Sequence, residues 1–188
     1  MFLGILLTFA FFTIILPESF RDYAFESQLA PIKNMYGMAA DSTIMLNYIQ
    51  NNFIIMLVCF VLSLIYGAGA VLMITWNAST WGAIFGFYAV NGVGNPFIYF
   101  LIIFLAVFMH TIIEAGAYFS AAVGGGVISK ATLKEKFLSS KFNIIVKDGV
   151  ILLIIAAFLV LFGAFIETYI TPGLFNFFFS MAANLGVI

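Results

Sequence analysis

Charge is what this sequence has least of. Charged side chains make up 8% of its 188 residues and hydrophobic ones 64%, whereas about 25% of the residues in an ordinary soluble domain are charged. A water-soluble fold of this length has too little interior to hide so much apolar surface, so hydrocarbon must take the excess. The net charge of −1 excludes the basic footprint that nucleic-acid binding requires. The single cysteine, Cys59, lies inside an apolar run. It can form no intramolecular disulfide and no zinc cluster, and it reads as a small buried helix residue. His-Glu-x-x-His, Gly-x-Ser-x-Gly, P-loop and dinucleotide patterns are all missing. No catalytic residue, metal site or cofactor is therefore expected.

What is present is a series of apolar runs separated by a few charges. Residues 1–16 lack a basic n-region and no small-x-small cleavage site follows, so they read as a retained first membrane helix, short for a hydrocarbon core of about 30 Å. The expectation is an all-α membrane protein: a single domain, residues 1–188, forming a polytopic transmembrane helical bundle of about five to six segments, some broken or kinked. Candidate segments are 1–16, 53–75, 79–91, 97–123, 149–170 and 174–188. Trp76, Asn77 and Trp81 suggest an interfacial turn, and Asn91 to Pro96 is a turn by composition. Gly82 and Gly86 punctuate the third segment, Gly124-Gly125-Gly126 ends the definition of the fourth, and Thr171-Pro172-Gly173 stops the fifth.

Five of the seven basic residues, Lys130, Lys134, Lys136, Lys141 and Lys147, fall within 129–148. By the positive-inside rule this basic loop is cytoplasmic, and the chain is a multi-pass protein of the cell (plasma) membrane. Arg21 and Lys33 then lie outside, in a long connection over 17–52. The loop's interspersed Leu133, Phe137, Leu138, Phe142 and Ile144 fit a helix lying at the membrane surface as well as an ordinary basic connector.

Three ionisable groups stand well inside apolar segments: His110, Glu114 and Glu167. A charge at a membrane helix centre costs roughly 2.5–3.5 kcal/mol on insertion scales, so these groups should face the bundle interior as an intramembrane polar cluster. His110 and Glu114 share a helix face through their four-residue spacing. That face continues through Ala106, Ala117, Ala121 and Gly124, all small, while Phe, Ile, Leu, Val and Tyr occupy the other faces. The face of Glu167 includes Ala156, Val160 and Gly163, and the second segment offers Cys59, Ser63, Gly67 and Ala70. Small residues such as Gly67, Ala117, Ala121 and Gly163 let membrane helices approach closely. Rise along an ideal helix leaves open whether Glu167 lies level with His110 or near the outer surface. Asn51 and Asn52, with Asn47, precede the second apolar run and read first as helix caps, with polar support of the cluster as the other role. Asn77 is a further candidate for such support.

Three stretches also carry a family resemblance. The first runs from Asn51-Asn52-Phe53 through Tyr66-Gly67-Ala68-Gly69 to Asn77-Ala78-Ser79-Thr80-Trp81-Gly82-Ala83. The second is His110-Thr111-Ile112-Ile113-Glu114-Ala115-Gly116-Ala117, and the third is Ala164-Phe165-Ile166-Glu167-Thr168-Tyr169-Ile170-Thr171-Pro172. In this order they resemble the stage II sporulation protein M (SpoIIM-like) family, which typically shows Asn-Asn before a glycine-rich span, an Asn-Gly turn, a His-Gly-x-x-Glu helix and an Ile-Glu-Ala-x-x-Thr-Pro ending. Thr111 and Ala78 stand where that pattern usually has glycine. The resemblance is to the short form found in archaea, which is expected to go without the long soluble N-terminal region common in bacterial members. The family's founding member belongs to a membrane complex and is thought to scaffold peptidoglycan-degrading partners. The resemblance thus implies a non-catalytic scaffold or assembly subunit. Its expected partners are the lipid bilayer, other membrane proteins and further copies of itself, as a homodimer or higher homo-oligomer. A channel or transporter using His110, Glu114 and Glu167 is the alternative from another class.

Overall fold

The computed structural model describes residues 1–35, 43–92 and 94–186; Lys33 lies in a helix there but its side chain is not described, and Asp41 falls outside the described residues. Among them the chain is helical, with no strand: α1 (Phe2–Ile15), α2 (Glu18–Ala24), α3 (Glu26–Met35), α4 (Thr43–Tyr66), α5 (Ala70–Val90), α6 (Pro96–Lys134), α7 (Ser140–Phe165) and α8 (Thr171–Asn184), with a π-helical turn over Ile166–Ile170. Among the described residues four helical stretches are long and apolar enough to cross a membrane: Met45–Tyr66, Ala70–Val90, Pro96–Lys134 and Ser140–Asn184. The apolar α1 is shorter. The all-α membrane architecture expected from composition is the one observed.

Several boundaries differ from the sequence expectation. The second run does not continue through 53–75. α4 stops at Tyr66 because Gly67 takes φ +69°, the left-handed conformation that ends helices and that glycine adopts without a Cβ penalty. Its N–H closes on the Ser63 carbonyl at 2.8 Å. The Trp76–Trp81 stretch is consequently no turn but lies within α5. α4 begins at Thr43, so Asn47, Asn51 and Asn52 are interior helix residues and not caps.

The triple glycine does not break α6 either. α6 runs on to Lys134, and the span expected as a basic loop over 129–148 shrinks to the connection 135–139 between two helices. Lys130 and Lys134 belong to α6, and Lys141 and Lys147 to α7. That connection turns at Leu138, with φ 61°. The Ser139 hydroxyl then accepts the Phe142 N–H at 3.2 Å, the side-chain cap that starts α7. Thr171-Pro172-Gly173 likewise does not stop the helix. Pro172 sits in the first turn of α8, where its missing N–H is tolerated, and the π-helical turn before it absorbs the change in hydrogen-bond pattern.

The residues gather into two compact units, each assembled from separate stretches of chain. The first comprises Met1–Ser42, Thr75–Met109 and Glu167–Ile188. Here α1 lies tightly against α5. A Cβ added at Gly82 would collide with the Leu6 carbonyl oxygen, and one at Gly86 would come within 2.8 Å of the Ala10 carbonyl oxygen. Gly82 and Gly86 are one helical turn apart, the small-xxx-small spacing of close membrane helix pairs. They mark a packing face and not a broken helix. Phe25, Leu29 and Ala83 form a buried cluster flanked by Phe9, Leu16, Ile84 and Phe87. The second unit comprises Thr43–Ile74 and His110–Ile166, in which α4 packs along α7.

Polarity is inverted relative to a water-soluble helix. Along α7 the buried residues are mostly small, Gly149, Ala156, Val160, Gly163 and Ala164. Ile151, Ile154, Phe158, Phe162 and Phe165 are exposed, as suits a surface solvated by acyl chains.

Candidate functional site

The second unit holds a buried polar network on two helices, α4 and α6, with a third, α7, packed against it. α6 carries His110, Glu114 and Tyr118 at successive four-residue steps, hence on one face. Glu114 is 2% exposed and Tyr118 fully buried. From α4, Asn52 donates its side-chain N–H to Glu114 Oε1 at 2.5 Å. Its own Oδ1 accepts the Tyr118 hydroxyl at 2.8 Å and the Asn51 amide at 3.3 Å. A carboxamide suits this position because it offers donors and an acceptor together. It can answer a carboxyl oxygen and a phenol at once, which a hydrophobic residue or an aspartate could not. α7 contributes by absence. A Cβ at Gly163 would stand 3.0 Å from Glu114 Cγ, so glycine makes room for the carboxyl stem where α7 meets α6.

The glycines of α6 bring the same helices together further along. A Cβ at Gly125 would fall on the Phe60 carbonyl oxygen and within 3.0 Å of the Leu64 nitrogen on α4, and one at Gly124 would lie 2.7 Å from the Gly149 carbonyl oxygen on α7. These neighbours are backbone atoms that cannot swing aside. α6 thus lies close against both α4 and α7, and its small residues set the helix spacing at which Asn52 reaches Glu114.

The sequence-expected residues fall as follows. His110 is buried on α6, one turn before Glu114. Asn52 joins Glu114 directly, and Asn51 joins through Asn52. Ala117 and Ala121 are fully buried on α6. Gly67 is the turn residue that ends α4, and a Cβ at Gly126 would come 3.0 Å from its carbonyl oxygen. Glu167 and Asn77 belong to the first unit. Glu167 is half-buried in the π-helical turn, and Asn77 is buried within α5. Tyr118 is the member that sequence reasoning missed, having assigned it with the other aromatics to faces for lipid or bulky packing. Its signal was the four-residue step from Glu114.

Chemically, the network ties helices together. It presents one carboxyl group engaged by a neutral amide. Among the described residues no three His, Cys, Asp or Glu side chains gather in a way that could hold a metal ion.

Comparison with known proteins fits these features. No curated protein and no solved structure matches the chain. A family model described as stage II sporulation protein M matches residues 1–172, which include the Asn52, His110, Glu114 and Glu167 stretches and reach Pro172. The chain therefore belongs to the stage II sporulation protein M family of membrane proteins.

Proposed function

We propose that this chain is a non-catalytic scaffold or assembly subunit of a complex in the cell membrane, with the lysine-bearing ends of α6 and α7 in the cytoplasm. Other membrane proteins and further copies of the chain are its partners. The observation that carries this reading is the buried Asn52–Glu114–Tyr118 network. It joins α4 to α6 through two side-chain hydrogen bonds, and the carboxyl stem is packed against Gly163. A carboxyl held in this way anchors helix register, whereas a group on a transport path must exchange partners with water or an ion.

The test is flux. Proteoliposomes holding the parent, Glu114→Gln or His110→Ala are compared with protein-free vesicles under a proton or cation gradient. All four should leak equally. Chemical cross-linking in native membranes should meanwhile recover the chain joined to other membrane proteins. A flux seen with the parent and abolished by both substitutions would make transport the main role. That second reading, a channel or transporter for a proton, ion or small solute, is favoured by Glu167. It lies in a π-helical turn inside an apolar run, and such turns are frequent at functional sites.

A further inference from the structure

Where α6 leaves its apolar run, a cavity of about 260 Å³ opens in the second unit, lined by Val127, Lys130, Ala131, Lys134, Glu135 and Ile145. We propose that it binds the phosphodiester headgroup of an anionic lipid, an assignment independent of the scaffold reading.

The lining is amphipathic in the sense such a ligand requires. Val127, Lys130, Ala131 and Lys134 follow the 3- and 4-residue steps of one helix face, and α7 closes the other side with Ile145. Val127 and Ile145 are half-buried and Ala131 buried, while both lysines are exposed. The apolar wall can meet the first methylenes of an acyl chain, and the lysines, whose flexible stems reach from apolar surface to water, can close over the phosphate. Two ammonium groups against the Glu135 carboxylate leave the cleft with a net charge of +1. Among the described residues neither lysine forms a salt bridge, although Glu135 adjoins Lys134 in sequence. Their positive charge is therefore available to an anion. Lys130 is also the first charged residue on α6 after Glu114, which puts the cleft where the helix passes from hydrocarbon to headgroups. Lys136, Lys141 and Lys147 follow close in sequence and favour an anionic lipid surface around it.

The full chain, purified in detergent, is titrated with phosphatidylglycerol or phosphatidylcholine, and bound lipid is read by native mass spectrometry. The parent should retain phosphatidylglycerol about fivefold more tightly than phosphatidylcholine, as a net charge of +1 warrants at about 1 kcal/mol per juxtamembrane charge. Lys130→Ala combined with Lys134→Ala should remove that preference, while Lys136→Ala combined with Lys141→Ala should leave most of it. All three proteins should melt together without added lipid, since the substituted side chains are exposed. Equal retention of both lipids by the parent overturns the proposal. So does an equal loss from both lysine pairs, which would mean diffuse attraction. Displacement of the lipid by millimolar glycerol phosphate would assign the cleft to a soluble phosphate compound instead.

Discussion

Asn52 of α4 and Glu114 of α6, 62 residues apart in sequence, share a hydrogen bond of 2.5 Å between two buried side chains. Truncating either side chain leaves the other polar and unpaired, at a cost of about 1–3 kcal/mol. Asn52→Ala and Glu114→Ala should each lower the unfolding free energy by that order in detergent. The double variant should lose less than the sum, because removing the second partner removes the orphan. Tyr118→Phe should cost about 1 kcal/mol, since Asn52 Oδ1 keeps its bond from Asn51. Strict additivity of Asn52→Ala and Glu114→Ala in denaturant titrations would mean the pair is not coupled.

Two glycines on α6 should respond oppositely to the same change. Gly125→Ala places a methyl group on the α4 backbone, and α4 and α6 must separate. A loss of about 1–3 kcal/mol is expected for such overpacking. At Gly116 the nearest atom to an added Cβ is Leu159 Cδ1 at 3.9 Å. Gly116→Ala should therefore stabilise, by about 0.5–1 kcal/mol, through helix propensity alone. Melting temperatures in one detergent check the pair, and a shift of the same sign in both would refute the packing argument.

Gly67 has open space around its Cα but a positive φ. Strain and not collision is then the expected penalty. Gly67→Ala should cost about 1 kcal/mol, and Gly67→Asn less, since asparagine tolerates the left-handed region. Equal stability of all three proteins in thermal unfolding would show that the turn rearranges freely.

Thr111 is 2% exposed, and its hydroxyl has no hydrogen-bond partner among the described residues. Thr111→Val keeps the shape and deletes the unsatisfied group, so it should raise stability by about 1 kcal/mol. A comparable loss, seen by the same unfolding measurement, would reveal a partner for that hydroxyl.

The site was legible in part. The four-residue step from His110 to Glu114 predicts a shared face without any knowledge of the fold, because helix geometry alone sets it. The partnership of Asn52 was not legible as such. In sequence it stands at the edge of an apolar run, where capping is the ordinary role for asparagine. Only the start of α4 at Thr43 turns it into an interior side chain. The glycines misled for a related reason. Gly82, Gly86 and Gly125 were read as interruptions, since glycine lowers helix propensity, yet each lies where a neighbouring backbone passes too near for a Cβ. Propensity is a local quantity, and in these helices interhelical packing outweighs it.

Composition by itself determined that hydrocarbon is the solvent and that helices are the answer, because a chain with so few charges must satisfy its backbone hydrogen bonds internally within each membrane-spanning segment. It also determined which side chains are too polar to face lipid. Which of them meet was decided by tertiary structure alone. A hydrogen bond between residues 62 positions apart depends on the spacing and register of whole helices, and those follow from where glycine lets one backbone rest against another.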